Sequence, residues 1–169
     1  MKGRASETKT EPKARSKANG SRCSCTALRK AMRRISQLYD AALAPSGLKI
    51  TQRAILAQIE RSEPTNVGLL ADALVIDPGA LAHTLKPLER DGFIVVKVNP
   101  DDRRHRLISL TARGRAKLAE TDLLWAQAEN SFETALGHTD AESLRTLLQR
   151  LISDDFTERF ENNLADSAS

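Results

Sequence analysis

Residues 65–92 read TNVGLLADALVIDPGALAHTLKPLERDG, and this stretch decides the fold. Thr65 reads as the cap of a short helix carrying Val67, Leu70, Ala71 and Leu74. The third residue on is Gly68, so the capping box is incomplete. Asp77-Pro78 is an acid at an N-cap followed by proline at the first helical position, a strong helix start. The second helix, 77–91, sets Leu81, Leu85 and Leu88 on one side, carries Pro87 as a kink, and stops at Gly92. Two short helices joined by a tight turn have helix-turn-helix spacing, which a plain helical hairpin shares.

Downstream, Phe93 to Val98 is dense in β-branched residues, Asn99-Pro100-Asp101-Asp102 is a turn cluster, and Arg106 to Leu110 completes a hairpin. Its tip, Asp102-Arg103-Arg104-His105-Arg106, carries three arginines, which suit the narrow, electronegative minor groove of DNA better than a protein core. Thr111 caps a helix of about 35 Å that runs to Leu136 and ends at Gly137. Thr139-Asp140-Ala141-Glu142 reads as a full capping box opening a last helix, with an apolar stripe from Leu144 through Leu151, Phe156 and Phe160 to Leu164. Upstream, a helix from Thr26 carries Leu28, Met32, Ile35 and Tyr39 and is ended by Pro45 and Gly47; another runs from Thr51, as its cap, to Glu60.

The expected fold is therefore mainly α with a small β-hairpin. A compact lobe of this size leaves the two long amphipathic helices uncovered, and a second copy is the expected cover, rather than an intramolecular bundle with the first helix. The expected organisation is a disordered basic tail over 1–22, a helix over 23–46 serving dimerisation, a DNA-binding lobe over 47–111, dimerisation helices over 112–164 and a disordered tail over 165–169.

Charge is distributed unevenly. Residues 1–22 hold seven bases and two acids, residues 86–117 nine bases and four acids, and residues 118–169 three bases and eleven acids. That split suits a basic working face and an acidic end turned away from a polyanion, though solvated helix faces give the same pattern. The whole chain has 169 residues, 40% apolar, 28% charged and 4% aromatic. Two cysteines exclude a disulfide scaffold, and three scattered histidines offer no metal cluster, so no metal or cofactor is expected. No apolar run reaches the ~18 residues of a membrane span and no secretory h-region is present, so a cytoplasmic address is expected. Without a glycine-rich phosphate loop or a Ser-His-Asp set, an enzyme is not expected; a scaffold that binds no DNA remains the rival class but leaves the arginine tip unexplained.

Over about 26–160 the order of elements resembles the multiple antibiotic resistance regulator (MarR) family. The motif Asp-x-Arg-x5-Leu-Thr is present as Asp102, Arg104, Leu110 and Thr111, and the run Leu85-Lys86-Pro87-Leu88-Glu89-Arg90-Asp91-Gly92 is a second marker. The resemblance implies a winged helix-turn-helix homodimer that binds palindromic operator DNA, usually as a repressor, and lets go on binding a small molecule or on oxidation. By position, residues 79–86 enter the major groove. Gly79 and Ala80 offer backbone amides or a close approach, His83 and Thr84 address base edges, and Lys86 meets phosphate. Arg104 enters the minor groove oriented by Asp102, with Arg103 and Arg106 on the backbone. Pro78-Gly79-Ala80 stands where many relatives carry polar residues, so groove width and bending carry part of the specificity.

Two triggers are open. Arg34, Tyr39 and Arg53 are candidate linings of an effector pocket suited to an anionic aromatic or phenolic molecule, and each also reads as packing or a surface ion pair. Cys23 and Cys25, with Arg22, Arg29 and Lys30 nearby, are redox candidates. A bridge across a single residue is strained, which favours an intermolecular disulfide.

Overall fold

The computed structural model describes residues 23–100, 102, 103 and 106–167; the expected tail over 1–22 and the wing residues Arg104 and His105 lie outside that set. The chain divides into two units, one up to Arg34 and one from Ile35 onward. What is described of the first is the start of helix α1 (Ser24–Leu43), which bears the exposed Leu28 and Met32. The rest belongs to the second.

In chain order the second unit holds the end of α1, a 3-10 turn (Ala44–Ser46), α2 (Ile50–Ser62), α3 (Val67–Leu74), α4 (Pro78–Arg90), β1 (Ile94–Val98), β2 (Arg106–Leu110), α5 (Ala112–Leu136), α6 (His138–Leu151) and α7 (Asp154–Ser167). The fold is mainly helical with one hairpin, as the periodicities predict. β1 and β2 are antiparallel, with Ile94 opposite Leu110, Val96 opposite Ile108 and Val98 opposite Arg106. Ile94, Ile108 and Leu110 are buried and meet Ile55, Leu56, Ile59, Leu70, Leu81, Leu85 and Leu88 in one core. The apolar positions of α2, α3 and α4 thus converge beneath the hairpin, which fixes α4 and leaves its other face exposed.

α1 starts at Ser24, two residues before the expected Thr26, and three further helix starts depart from the sequence reading. α2 begins at Ile50, before Thr51, because Asp40 of α1 accepts the Ile50 amide at 2.8 Å and Gln52 accepts the Lys49 amide at 2.9 Å. The cap of α3 is Asn66, whose side chain accepts the Leu69 amide; Thr65 instead exchanges backbone bonds of 3.1 and 2.7 Å with Ile108 and extends the hairpin's hydrogen bonding. The Thr139 box is not formed. Gly137, at φ +91°, both ends α5, donating to the Glu133 carbonyl, and opens α6, accepting from Ala141, so no linker remains for Thr139 to cap.

The last stripe is not one helix. It breaks at Ile152 and Ser153, where the Ser153 hydroxyl donates to the Arg150 carbonyl and accepts the Phe156 amide. Asp154 and Asp155 follow in the first turn of α7, where carboxylates favour the helix dipole. α7 continues to Ser167, past residue 164 where a disordered tail was expected.

The junction after the hairpin is tight. The Thr111 amide donates to the Phe93 carbonyl at 3.0 Å, its hydroxyl donates to the Gly92 carbonyl at 2.6 Å, and that hydroxyl accepts the Gly114 amide at 3.0 Å. A Cβ on Gly114 would stand 1.9 Å from the Phe93 carbonyl oxygen. Gly114→Ala should therefore destabilise the protein by about 2 kcal/mol, the overpacking penalty outweighing alanine's better helix propensity; urea unfolding checks this. Val75, between α3 and α4, has the opposite character: φ is +51° and the side chain is 68% exposed. Val75→Gly should raise stability by about 1 kcal/mol, since relief of the left-handed strain exceeds glycine's entropic cost.

Candidate nucleic-acid interface

Helices α3 and α4 meet at 109°, within the ~90–120° range of a helix-turn-helix. Asp77 caps α4, its carboxylate accepting the Ala80 amide at 2.9 Å. With Leu81, Leu85 and Leu88 buried, the exposed side of α4 carries Gly79, Ala80, His83, Lys86 and Arg90. Arg90 is held by Asp91 at 3.0 Å. Thr84 is half-buried, and its hydroxyl donates to the Ala80 carbonyl at 3.1 Å.

This geometry narrows the roles read from sequence. Ala80's amide is taken by Asp77, which also sets a carboxylate at the helix start, so Ala80 offers its methyl rather than a phosphate contact. Thr84's hydroxyl proton is likewise engaged, leaving lone pairs and a methyl. His83 keeps both ring nitrogens for an outside partner, with no hydrogen bond among the described residues.

On the hairpin, Asp102 is half-buried, Arg103 is exposed at the turn and Arg106 is exposed at the start of β2. The expected role of Arg104 falls outside the described residues. The hairpin's base is fixed by Glu63, which accepts the Leu110 amide at 2.7 Å and pairs with Arg115. Exposed cations of α4 and of the hairpin thus hang from one core.

The effector candidates part company. Arg34 is exposed on α1. Arg53 is buried on α2, pairing with Asp122 at 2.8 Å and lying 4.4 Å over the Trp125 ring, with its Nε unpartnered. Tyr39 donates to Glu129 at 2.8 Å; burial, and then the Glu129 carboxylate, push its phenol well above the usual range. Tyr39 also borders a cavity of about 580 Å³ with Ile35, Leu38, Ala128, Phe132 and Ala135. The sequence reading placed Ile35 with Tyr39 in one apolar stripe; nothing in the spacing tells a stripe that packs from one that leaves a cleft. No basic side chain lines the cleft among the described residues. Cys23, just before α1, and Cys25, within it, are both exposed.

Arg145 bridges Glu129 and Glu133 at 2.8 and 2.5 Å, and its hydrogen bond holds the Glu133 carboxyl below the usual range. A lowered folded pKa contributes stability above the unfolded value, about 4.3, and loses it as pH falls through the folded one. Arg145→Met should therefore flatten the acid side of the stability profile below about pH 4.3, read as urea midpoints over a pH series.

Among the described residues no group of His, Cys, Asp and Glu is placed to hold a metal, and no single helix is long and apolar enough to cross a membrane. A protein-family model for the MarR family matches residues 48–105. The HTH-type transcriptional regulator SarZ of Staphylococcus epidermidis is 33% identical over 81 residues, 48% of this chain and 55% of that protein, so the match spans about half its length. The M. tuberculosis transcriptional regulator MosR, crystallised in complex with DNA, is 33% identical with a TM-score of 0.73, over 81% of this chain and 98% of that one. The transcriptional repressor CouR, bound to a 23-mer DNA duplex, is 27% identical with a TM-score of 0.74, over 85% of this chain and 100% of that one.

Proposed function

The chain belongs to the MarR family, and we propose that it is a DNA-binding transcriptional repressor that grips a palindromic operator as a homodimer and is released by a small molecule. The observation that carries this reading is the exposed His83, Lys86 and Arg90 face of α4 beside a hairpin with exposed Arg103 and Arg106. α4 lies in the major groove, with His83 at a base edge and Lys86 at a phosphate. The hairpin lies along the adjacent minor groove, where Arg104 inserts, oriented by Asp102, and Arg103 and Arg106 hold the backbone. That the structures of MosR and CouR each hold DNA supports the same use of the fold here.

The homodimer is supported by apolar side chains left uncovered on α6 and α7. Leu147, Leu148, Phe160 and Leu164 are 41–58% exposed and Ile152 is 63% exposed. A helical stripe of that kind buries itself against a partner, and a second copy supplies the same stripe. The small molecule is proposed for the cleft beside Tyr39. Its apolar lining and phenol suit an aromatic or phenolic effector, while an anionic one would need Arg53 freed from Asp122.

A second trigger is favoured by one observation. Hydrogen bonds from the Thr26 side chain and backbone hold the exposed Cys23 thiol below its usual range, which favours the thiolate. Peroxide would join two thiols as a disulfide between protomers, giving up its two oxygens as water.

The test is a mobility shift of the DNA upstream of the protein's own coding region, over a salt series. The wild type should bind tightly, with affinity falling steeply as salt rises. Replacing both Arg103 and Arg106 by Ala should lower affinity at least tenfold and shallow the salt slope by about two; unchanged affinity at fixed salt would refute the wing assignment. Peroxide that leaves the shift unaltered removes the redox trigger.

A further inference from the structure

The first two turns of α4 offer a reader few hydrogen-bonding groups. Of the side chains on its first two turns, Gly79 has none, Ala80 ends in a methyl, and the Thr84 hydroxyl proton is committed to the Ala80 carbonyl at 3.1 Å. Ala80's amide is closed off by Asp77 at 2.9 Å. The side-chain donor left facing outward on those turns is the imidazole of His83, flanked on the helix by two methyl-bearing positions, 80 and 84, at three- and one-residue steps.

In the major groove an apolar methyl has one matching feature on the base pairs, the 5-methyl of thymine, which cytosine lacks. We infer that this protein discriminates its operator through thymine 5-methyl groups packed against the Ala80 and Thr84 methyls, with His83 supplying the side-chain hydrogen-bond donor to a base edge on these turns. The inference rests on the reading of α4 as the helix that enters the major groove, and it assigns the chemistry that helix reads. Asp77 contributes as a positioning residue: by occupying the Ala80 amide it keeps a phosphate from docking there and turns the first helical turn toward bases.

The inference makes thymine and uracil distinguishable to a protein that otherwise treats them alike. Burial of one methyl against another apolar group corresponds to about a fourfold change in affinity, so a symmetric site with one such contact in each half loses about sixteenfold when both methyls go.

The test uses the full-length protein and a pool of random-sequence duplexes enriched by binding to it. The winning duplex is resynthesised with deoxyuridine in place of thymine, first throughout and then one position at a time. The wild type should lose about tenfold or more on the fully substituted duplex, with the loss confined to positions within the two half-sites. Ala80→Gly and Thr84→Ser, the latter keeping the hydroxyl bond to the Ala80 carbonyl, should each bind the thymine duplex more weakly and respond less to uracil. That blunted response separates methyl contact from any change in duplex shape, which would affect variants and wild type equally. Tight, sequence-dependent binding that is indifferent to uracil overturns this inference and leaves the DNA-binding reading standing. Failure to enrich any sequence overturns both. A uracil penalty of the same size in wild type and both variants overturns the assignment to Ala80 and Thr84.

Discussion

The arrangement depends on the contact of three strands of backbone at Thr111. Its amide and hydroxyl take the carbonyls of Phe93 and Gly92, and the same hydroxyl receives the Gly114 amide at the start of α5. The end of α4, the base of the hairpin and the first turn of the long helix are thereby tied to one side chain, and the absence of a side chain at Gly114 lets them approach that closely. Because these groups are at least partly withdrawn from water, each unmade bond would carry a desolvation penalty. The angle between α4 and the hairpin is consequently a property of backbone chemistry and not of the long side chains that act at their tips. It also gives a physical account of why a Leu-Thr pair closes the hairpin motif: Leu110 enters the core and Thr111 makes the knot.

Much of the lobe was legible in the sequence because its signals are local. Asp77-Pro78 opens α4 where expected, the β-branched run at Ile94–Val98 forms a strand, and Thr111 caps α5. Where the reading slipped, a tertiary partner had intervened. Asp40, ten residues upstream, starts α2 early; Ile108, more than forty residues downstream, recruits Thr65 into the sheet and hands the cap to Asn66. The break at Ser153 was local, but the apolar stripe keeps its period across it and masks the Ser153-Asp154-Asp155 start.

Site residues were less legible than the fold. Residue types on the exposed side of α4 can be read from spacing, but whether their polar groups are already spent cannot. The Asp77–Ala80 and Thr84–Ala80 bonds remove the donor from two of the expected contact points. Arg53 gives the same lesson in another place: a cation suited to an anionic ligand is committed to Asp122 and Trp125. Charge placement completes the picture. The base-rich stretch 86–117 and the acid-rich stretch 118–169 fit the proposed use, since a polyanion would be drawn to the former and repelled by the latter.

The central claim is that two copies present two α4 helices and two wings to one duplex. Hydroxyl-radical footprinting of the full-length protein on its enriched duplex tests this most directly. The account predicts two protected half-sites related by a dyad, with centres one helical turn, ~34–36 Å, apart, and minor-groove protection beside each. A single unpaired half-site, or protection without sequence register, would contradict it.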